Sequence, residues 1–177
     1  MNFKISLDPK IYCWQINQVN RALFINQIKR QGKISNQFRD GEDELIINTL
    51  FSNWILSSGN VIDVIFTRDQ KIKVKKEKPI FDIVIAVRNT FQHEHNLQIS
   101  ISKKDESGIG FEFYLRHSSH YFKRISKDHE HILNEYIWTN PIEHLIDDFH
   151  DELQKHVDMD KIRETALDKS NRVYIHH

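Results

Sequence analysis

The chain reads as an α+β protein, with helices first, an antiparallel sheet in the middle and helices again at the end. Three patterns predict this. Apolar residues recur at helical spacing across 9–32 and 40–59, alternate across 60–117, and return to helical spacing across 126–169. The expected organisation is a single domain over 1–177. In it 1–59 is mainly helical, 60–117 is an antiparallel meander of about five strands flanked by the helices, 126–169 is helical, and 172–176 returns as a final strand.

Each element has its own justification. Asp8-Pro9 opens the first helix, because Asp caps and Pro at the first helical position loses no needed N–H. Tyr12, Ile16, Val19, Leu23 and Ile28 follow at helical spacing, and Gly32 stops the helix. Asp40, with Asp43 three residues on, starts a second helix that carries Leu45, Ile46, Thr49, Leu50, Trp54 and Ile55, and Gly59 ends it. Segments 61–67 and 71–76 read as strands on either side of an Arg68-Asp69-Gln70 loop. Phe81, Ile83, Ile85 and Val87 alternate, and Val84 and Ala86 make the other face apolar too, as in an interior strand. Leu97, Ile99 and Ile101, then Ile109, Phe111, Phe113 and Leu115, complete the meander. Ser126 caps a helix with Ile132, Leu133, Tyr136 and Ile137. Asn140-Pro141 starts another, striped by Ile142, Leu145, Ile146, Phe149, Leu153 and Val157, and Asp158 caps a last short one.

Composition excludes several classes. Eleven Phe, five Tyr and three Trp are too many for a disordered tail, and five Gly with three Pro are too few for a collagen or a linker. Lys+Arg and Asp+Glu both number 25, which argues against a strongly basic nucleic-acid packager. That neutrality is a sum of +5 over 1–92 and −5 over 93–177, and all eleven His fall in the second half. Cys13 is the one cysteine, so no intrachain disulfide forms. The N-terminus shows no apolar signal region and no run approaches the ~20 apolar residues of a membrane helix, so a cytoplasmic protein is expected.

Three constellations carry possible chemistry. If the loop of the last hairpin centres near Glu106, Leu97 faces Leu115, Ile99 faces Phe113 and Ile101 faces Phe111. The same ladder then sets His95 opposite His117, with His93 and His120 close by, as candidate ligands for Zn²⁺ or another divalent metal or as acid–base groups. Frayed, solvated loop histidines are the alternative. Lys71, Lys73 and Lys75 form a basic stripe on one strand face, with Lys76 and Lys78 beside it. It would be either a nucleic-acid or partner surface, or a lysine-protected sheet edge. Glu143, Asp147 and Asp151 recur every four residues and stack on one helix face, as an acidic surface that can bind Mg²⁺ or simply the solvated side of an amphipathic helix.

Local resemblances add little. His150-Asp151 is similar to the dipeptide of HD-type metal-dependent phosphohydrolases, but the family's other ligands have no counterpart here. Gly110-Phe111-Glu112-Phe113 resembles part of the RNA-recognition motif, but Ile109 and Arg116 depart from it. The whole chain, rich in Ile, Asn and Lys, resembles uncharacterised proteins of a prophage-borne kind from AT-rich bacteria, which implies no activity. No Gly-rich phosphate loop, dinucleotide fingerprint or Gly-x-Ser-x-Gly elbow is present. The first expectation is therefore a non-enzymatic binding or regulatory protein without a cofactor, acting through charged surfaces on a protein partner or a second copy of itself. A metal-dependent hydrolase or nuclease built on the His cluster, and a nucleic-acid binder using the basic strand, are the alternatives.

Overall fold

In the computed structural model the described residues are 8–32, 41–94, 97–104, 111–117, 127–136 and 140–162. They form α1 (Pro9–Gly32), α2 (Gly41–Ile65), α3 (Arg68–Glu77), α4 (Pro79–Glu94), β1 (Leu97–Lys104), β2 (Phe111–His117), α5 (Lys127–Tyr136) and α6 (Ile142–Gln154). The protein is predominantly helical. The expected α+β fold with a five-strand meander is corrected, among the described residues, to a helical assembly with one antiparallel strand pair.

The correction lies between 60 and 94. On α2 Ile47, Phe51, Trp54, Ile55, Ser58, Val61 and Ile62 are buried at intervals of four, three, one, three, three and one, with Ser57 and Gly59 buried beside them. That is a helical period continued straight through Gly59, so Ile62, Val64 and Phe66 alternate only by coincidence. Segment 71–76 is likewise helical, being part of α3. Thr67, read from sequence as the end of a strand, and Gln70, read as part of the hairpin loop, form a capping box. Gln70 N donates to Thr67 Oγ1 at 3.4 Å and Thr67 N donates to Gln70 Oε1 at 2.9 Å. Pro79 does not interrupt a sheet but occupies the first position of α4. In α4 Phe81 and Ile83–Val87 are all buried. A helix surrounded by others is apolar on every side, so its run cannot be told from an interior strand by period.

Other expectations hold. Asp8 Oδ1 accepts from Lys10 N at 2.9 Å and Ile11 N at 3.5 Å, capping α1, which ends at Gly32. Asp158 Oδ1 accepts from Lys161 N at 3.0 Å and starts a final turn, and Lys161 Nζ reaches back to Asp8 at 2.8 Å. The α6 stripe is buried as the spacing requires. Asp40, Ser126, Ile137 and the expected strand 172–176 lie outside the described residues. In the hairpin the parity is right but the register is two residues off. Leu97 pairs with His117, Ile99 with Leu115 and Ile101 with Phe113, with an irregularity between Ile101 and Lys103. Ile99, Phe113 and Leu115 are buried, and Ile99 N donates to Asn48 Oδ1 of α2 at 2.8 Å.

The core is a chain of rings across four helices. Phe24 of α1 lies 6.3 Å from Trp54 of α2, Trp54 meets Phe149 of α6 edge-on at 6.1 Å, and Phe149 meets Phe81 of α4 at 5.8 Å. The α1–α2 seam also carries a buried polar link. Asn17 Nδ2 donates to the hydroxyls of Ser57 and Ser58 at 3.2 and 2.8 Å, and both hydroxyls donate to Trp54 O at 2.8 Å. Trp54 is completely buried at the centre of the ring chain. Trp54→Ala is therefore expected to lower stability by about 3–5 kcal/mol, read as a fall in the urea midpoint. A loss under about 1 kcal/mol contradicts this packing.

Candidate functional site

Where the apolar run of α4 ends, polar residues begin. Arg88 follows Val87 directly, and its side chain is 17% exposed. Arg88 Nη1 donates to Asp63 Oδ2 of α2 at 2.9 Å, and Lys71 Nζ of α3 donates to Asp63 Oδ1 at 2.8 Å. Arg88 Nε and Nη2 also lie 3.4 and 3.3 Å from Asn89 Oδ1. Two cations thus share one carboxylate. Burial pushes the Asp63 carboxyl up, but the hydrogen bonds and charges of Lys71 and Arg88 outweigh it and hold the group below the usual carboxylate range. Gly59, one turn before Asp63, makes room for the arm: a Cβ there would overlap Arg88 Cδ, Nη1 and Nε. His93 lies on α4 one turn beyond Asn89. α4 therefore carries Arg88 and Asn89, with the backbone position of His93 one turn beyond Asn89, and Lys71 meets the same carboxylate from α3.

Sequence reading missed Asp63, Arg88, Asn89 and Gly59. The available signal was the abrupt change from the apolar stretch 83–87 to Arg88-Asn89, together with a glycine and an aspartate four apart. Two shallow grooves lie elsewhere. One is lined by Lys75, Pro79, Asp82 and Tyr136, the other by Lys78, Asp151 and Lys155.

The predicted site residues are placed as follows. His93 is on α4 and not on the hairpin ladder, His117 pairs with Leu97, and His95 and His120 lie outside the described residues. Among the described residues no group of three or more His, Cys, Asp or Glu is placed to hold a metal ion. The lysines lie on a helix, so Lys71, Lys73 and Lys75 do not share a face. Lys71 and Lys75 do, and together with Lys78, the residue after the helix, each grips a different element: Asp63 of α2, Asp82 of α4 and Glu152 of α6. Lys73 and Lys76 point outward, Lys73 lying 3.8 Å from Glu77.

On α6, Glu143, Asp147 and Asp151 do stack at four-residue spacing. Asp147 is taken by Arg21 of α1 at 2.7 Å. Glu143 is half-buried with Oε2 lacking a hydrogen bond. Burial, against its own backbone hydrogen bond and with help from Glu112 and Asp147, pushes its carboxyl up to about 7. Burial and Arg21 lower His150, opposed by Asp151 and Asp147. Burial, then Asp148, pushes the Tyr136 hydroxyl up to about 12.

No protein-family model, no curated protein and no solved structure matches the chain. Among the described residues no helix is long and apolar enough to cross a membrane.

Two outcomes follow. A glycine inside a helix ordinarily gains up to about 1 kcal/mol on change to Ala. Gly59→Ala is expected to destabilise instead, because the new methyl displaces Arg88, and to become stabilising in an Arg88→Ala background. Urea unfolding of the two singles and the double reads this; equal effects in both backgrounds rule out the close approach. For Glu143, the folded state holds the proton to a higher pH than the unfolded chain, whose value is near 4.5. Its contribution is full below about pH 4.5 and is lost as pH rises through about 7, on the order of 3 kcal/mol in all. Glu143→Gln is expected to flatten the fall in the urea midpoint between about pH 5 and about pH 8, and an unchanged slope contradicts it.

Proposed function

We propose that the chain is a nuclease that cleaves RNA at a centre on the C-terminal half of α4. The observation that carries this reading is the juxtaposition of two cations on the Asp63 carboxylate, at 2.8 and 2.9 Å, with Asn89 beside Arg88 and His93 one turn on. RNA brings its own nucleophile, the 2′-hydroxyl, so cleavage asks the protein for two things: proton transfer near neutral pH, and a cation where charge develops on phosphorus. Imidazole supplies the first and guanidinium the second. In the proposed step the 2′-oxygen attacks phosphorus and gives its proton to His93, the bond from phosphorus to the 5′-oxygen breaks, that oxygen takes a proton from water, and Arg88 with Lys71 balances the negative charge on the phosphoryl oxygens. Asp63 and Asn89 hold the guanidinium in place.

This keeps the nuclease from the metal-dependent alternative read from the sequence, but it drops the metal and moves the centre from a four-histidine cluster to one helix. The binding reading through charged surfaces draws less support, because Lys75, Lys78 and Asp147, which lie outside the proposed centre, are engaged within the protein. What supports a binding role for the basic helix is the outward Lys73 and Lys76.

The test is incubation of the purified chain with a single-stranded RNA oligomer in excess chelator. Cleavage leaving a 2′,3′-cyclic phosphate is expected, falling by about 10²-fold or more in His93→Ala and in Arg88→Ala with helical content intact. Absence of cleavage with and without added metal, or full activity in His93→Ala, overturns it. Activity that needs Zn²⁺ or another divalent ion returns the metal-dependent version.

A further inference from the structure

Four apolar side chains on α1 face away from the core. Tyr12, Ile16 and Leu23 are 41%, 37% and 50% exposed, and Val19 is half-buried among them. Their spacing of four, three and four is a heptad seam, and it runs along the side of α1 opposite Asn17, Phe24 and Ile28. A single exposed leucine on a soluble protein is ordinary; a continuous seam of four is an interaction surface.

Two features identify what covers it. The seam is symmetric about a point between Asn17 and Gln18, so an antiparallel copy sets Tyr12 against Leu23, Ile16 against Val19, and the same pairs in reverse. The seam is also uncharged. Between Lys10 and Lys29 the one charged residue of α1 is Arg21, which is turned to Asp147 at 2.7 Å. A second copy therefore meets no like charge, while a charged partner finds nothing to pair with.

We propose that two copies of this chain dimerise by antiparallel packing of their α1 helices, with the two-fold axis passing beside residues 17 and 18. Two heptads bury on the order of 1,000 Å² in total, the lower edge of specific interfaces. The dimer is independent of whether the chain cleaves RNA.

Sedimentation velocity across about 5–200 µM tests it. The expected result is a shift from one chain to two that is the same at low and high NaCl. Ile16→Asp and Leu23→Asp, made singly, are each expected to weaken the dimer at least tenfold with unchanged circular dichroism. If Ile16→Asp fails to fold, Leu23→Asp at the most exposed position of the seam decides alone. Orientation is read from spin labels on Asn26→Cys in a Cys13→Ser background, about 25 Å or more apart in the antiparallel pair and about 10 Å in a parallel one. A chain monomeric throughout, a dimer that dissolves in salt, a dimer indifferent to Leu23→Asp, or the parallel distance overturns the proposal.

Discussion

The burial of α4 on nearly all sides is the constraint from which the rest of the structure follows. Phe81 touches Phe149 of α6 and Phe66 at the end of α2, at 5.8 and 5.4 Å, and Phe91 meets Phe51 of α2 edge-on at 6.1 Å. A helix held at both ends by rings has little freedom to rotate or slide. The polar residues that begin at Arg88 inherit that fixity. Arg88 can approach Gly59 closely because the apolar turns before it have already set the distance between α2 and α4. The core and the candidate site are consecutive stretches of one helix, and the first positions the second.

Charge works in the same direction. The two halves of the chain carry opposite excesses, and part of that excess closes on itself: Arg21 with Asp147 and Lys78 with Glu152 join cations of the first half to anions of the second, while Lys161 with Asp8 joins the halves in the opposite sense. Individually such pairs contribute roughly 0–1 kcal/mol when exposed. Their value here is to set how elements meet once apolar burial has brought them together. Glu152 is the clearest case: its carboxylate, 11% exposed, meets Lys78, Lys155 and His156. The hydrogen bond from Lys155, against the effect of burial and with help from Lys78, holds it below the usual range.

Legibility in the sequence followed local chemistry. Asp8-Pro9, Gly32, Asp158 and the α6 stripe were readable because a cap or a one-sided period is written in adjacent residues. The last hairpin was readable in parity, since Ile99 and Leu115 must face one way, but not in register, which depends on a loop with weak turn chemistry. Segment 79–87 misled because β-branched residues fill α4, a helix buried on nearly all sides, and there tertiary surroundings override propensity. The box from Thr67 to Gln70 was legible and carried the opposite message from the alternation around it. The candidate site was hidden for a different reason. Asp63 and Arg88 are 25 residues apart and belong together only once α2 and α4 are known to be helices lying side by side.

The short α3 buries none of its residues fully, and only Val74 packs against the core. Its attachment is electrical, through Lys71 and Lys75 on one face and Lys78 just past its end. It is consequently a separate cooperative unit: its opening free energy lies near the bottom of the range for this protein and shrinks as ionic strength rises, while the ring-packed helices stay closed. Each such opening withdraws Lys71 and leaves Asp63 to Arg88 alone. The local charge around the guanidinium therefore varies with a fluctuation that does not disturb the core.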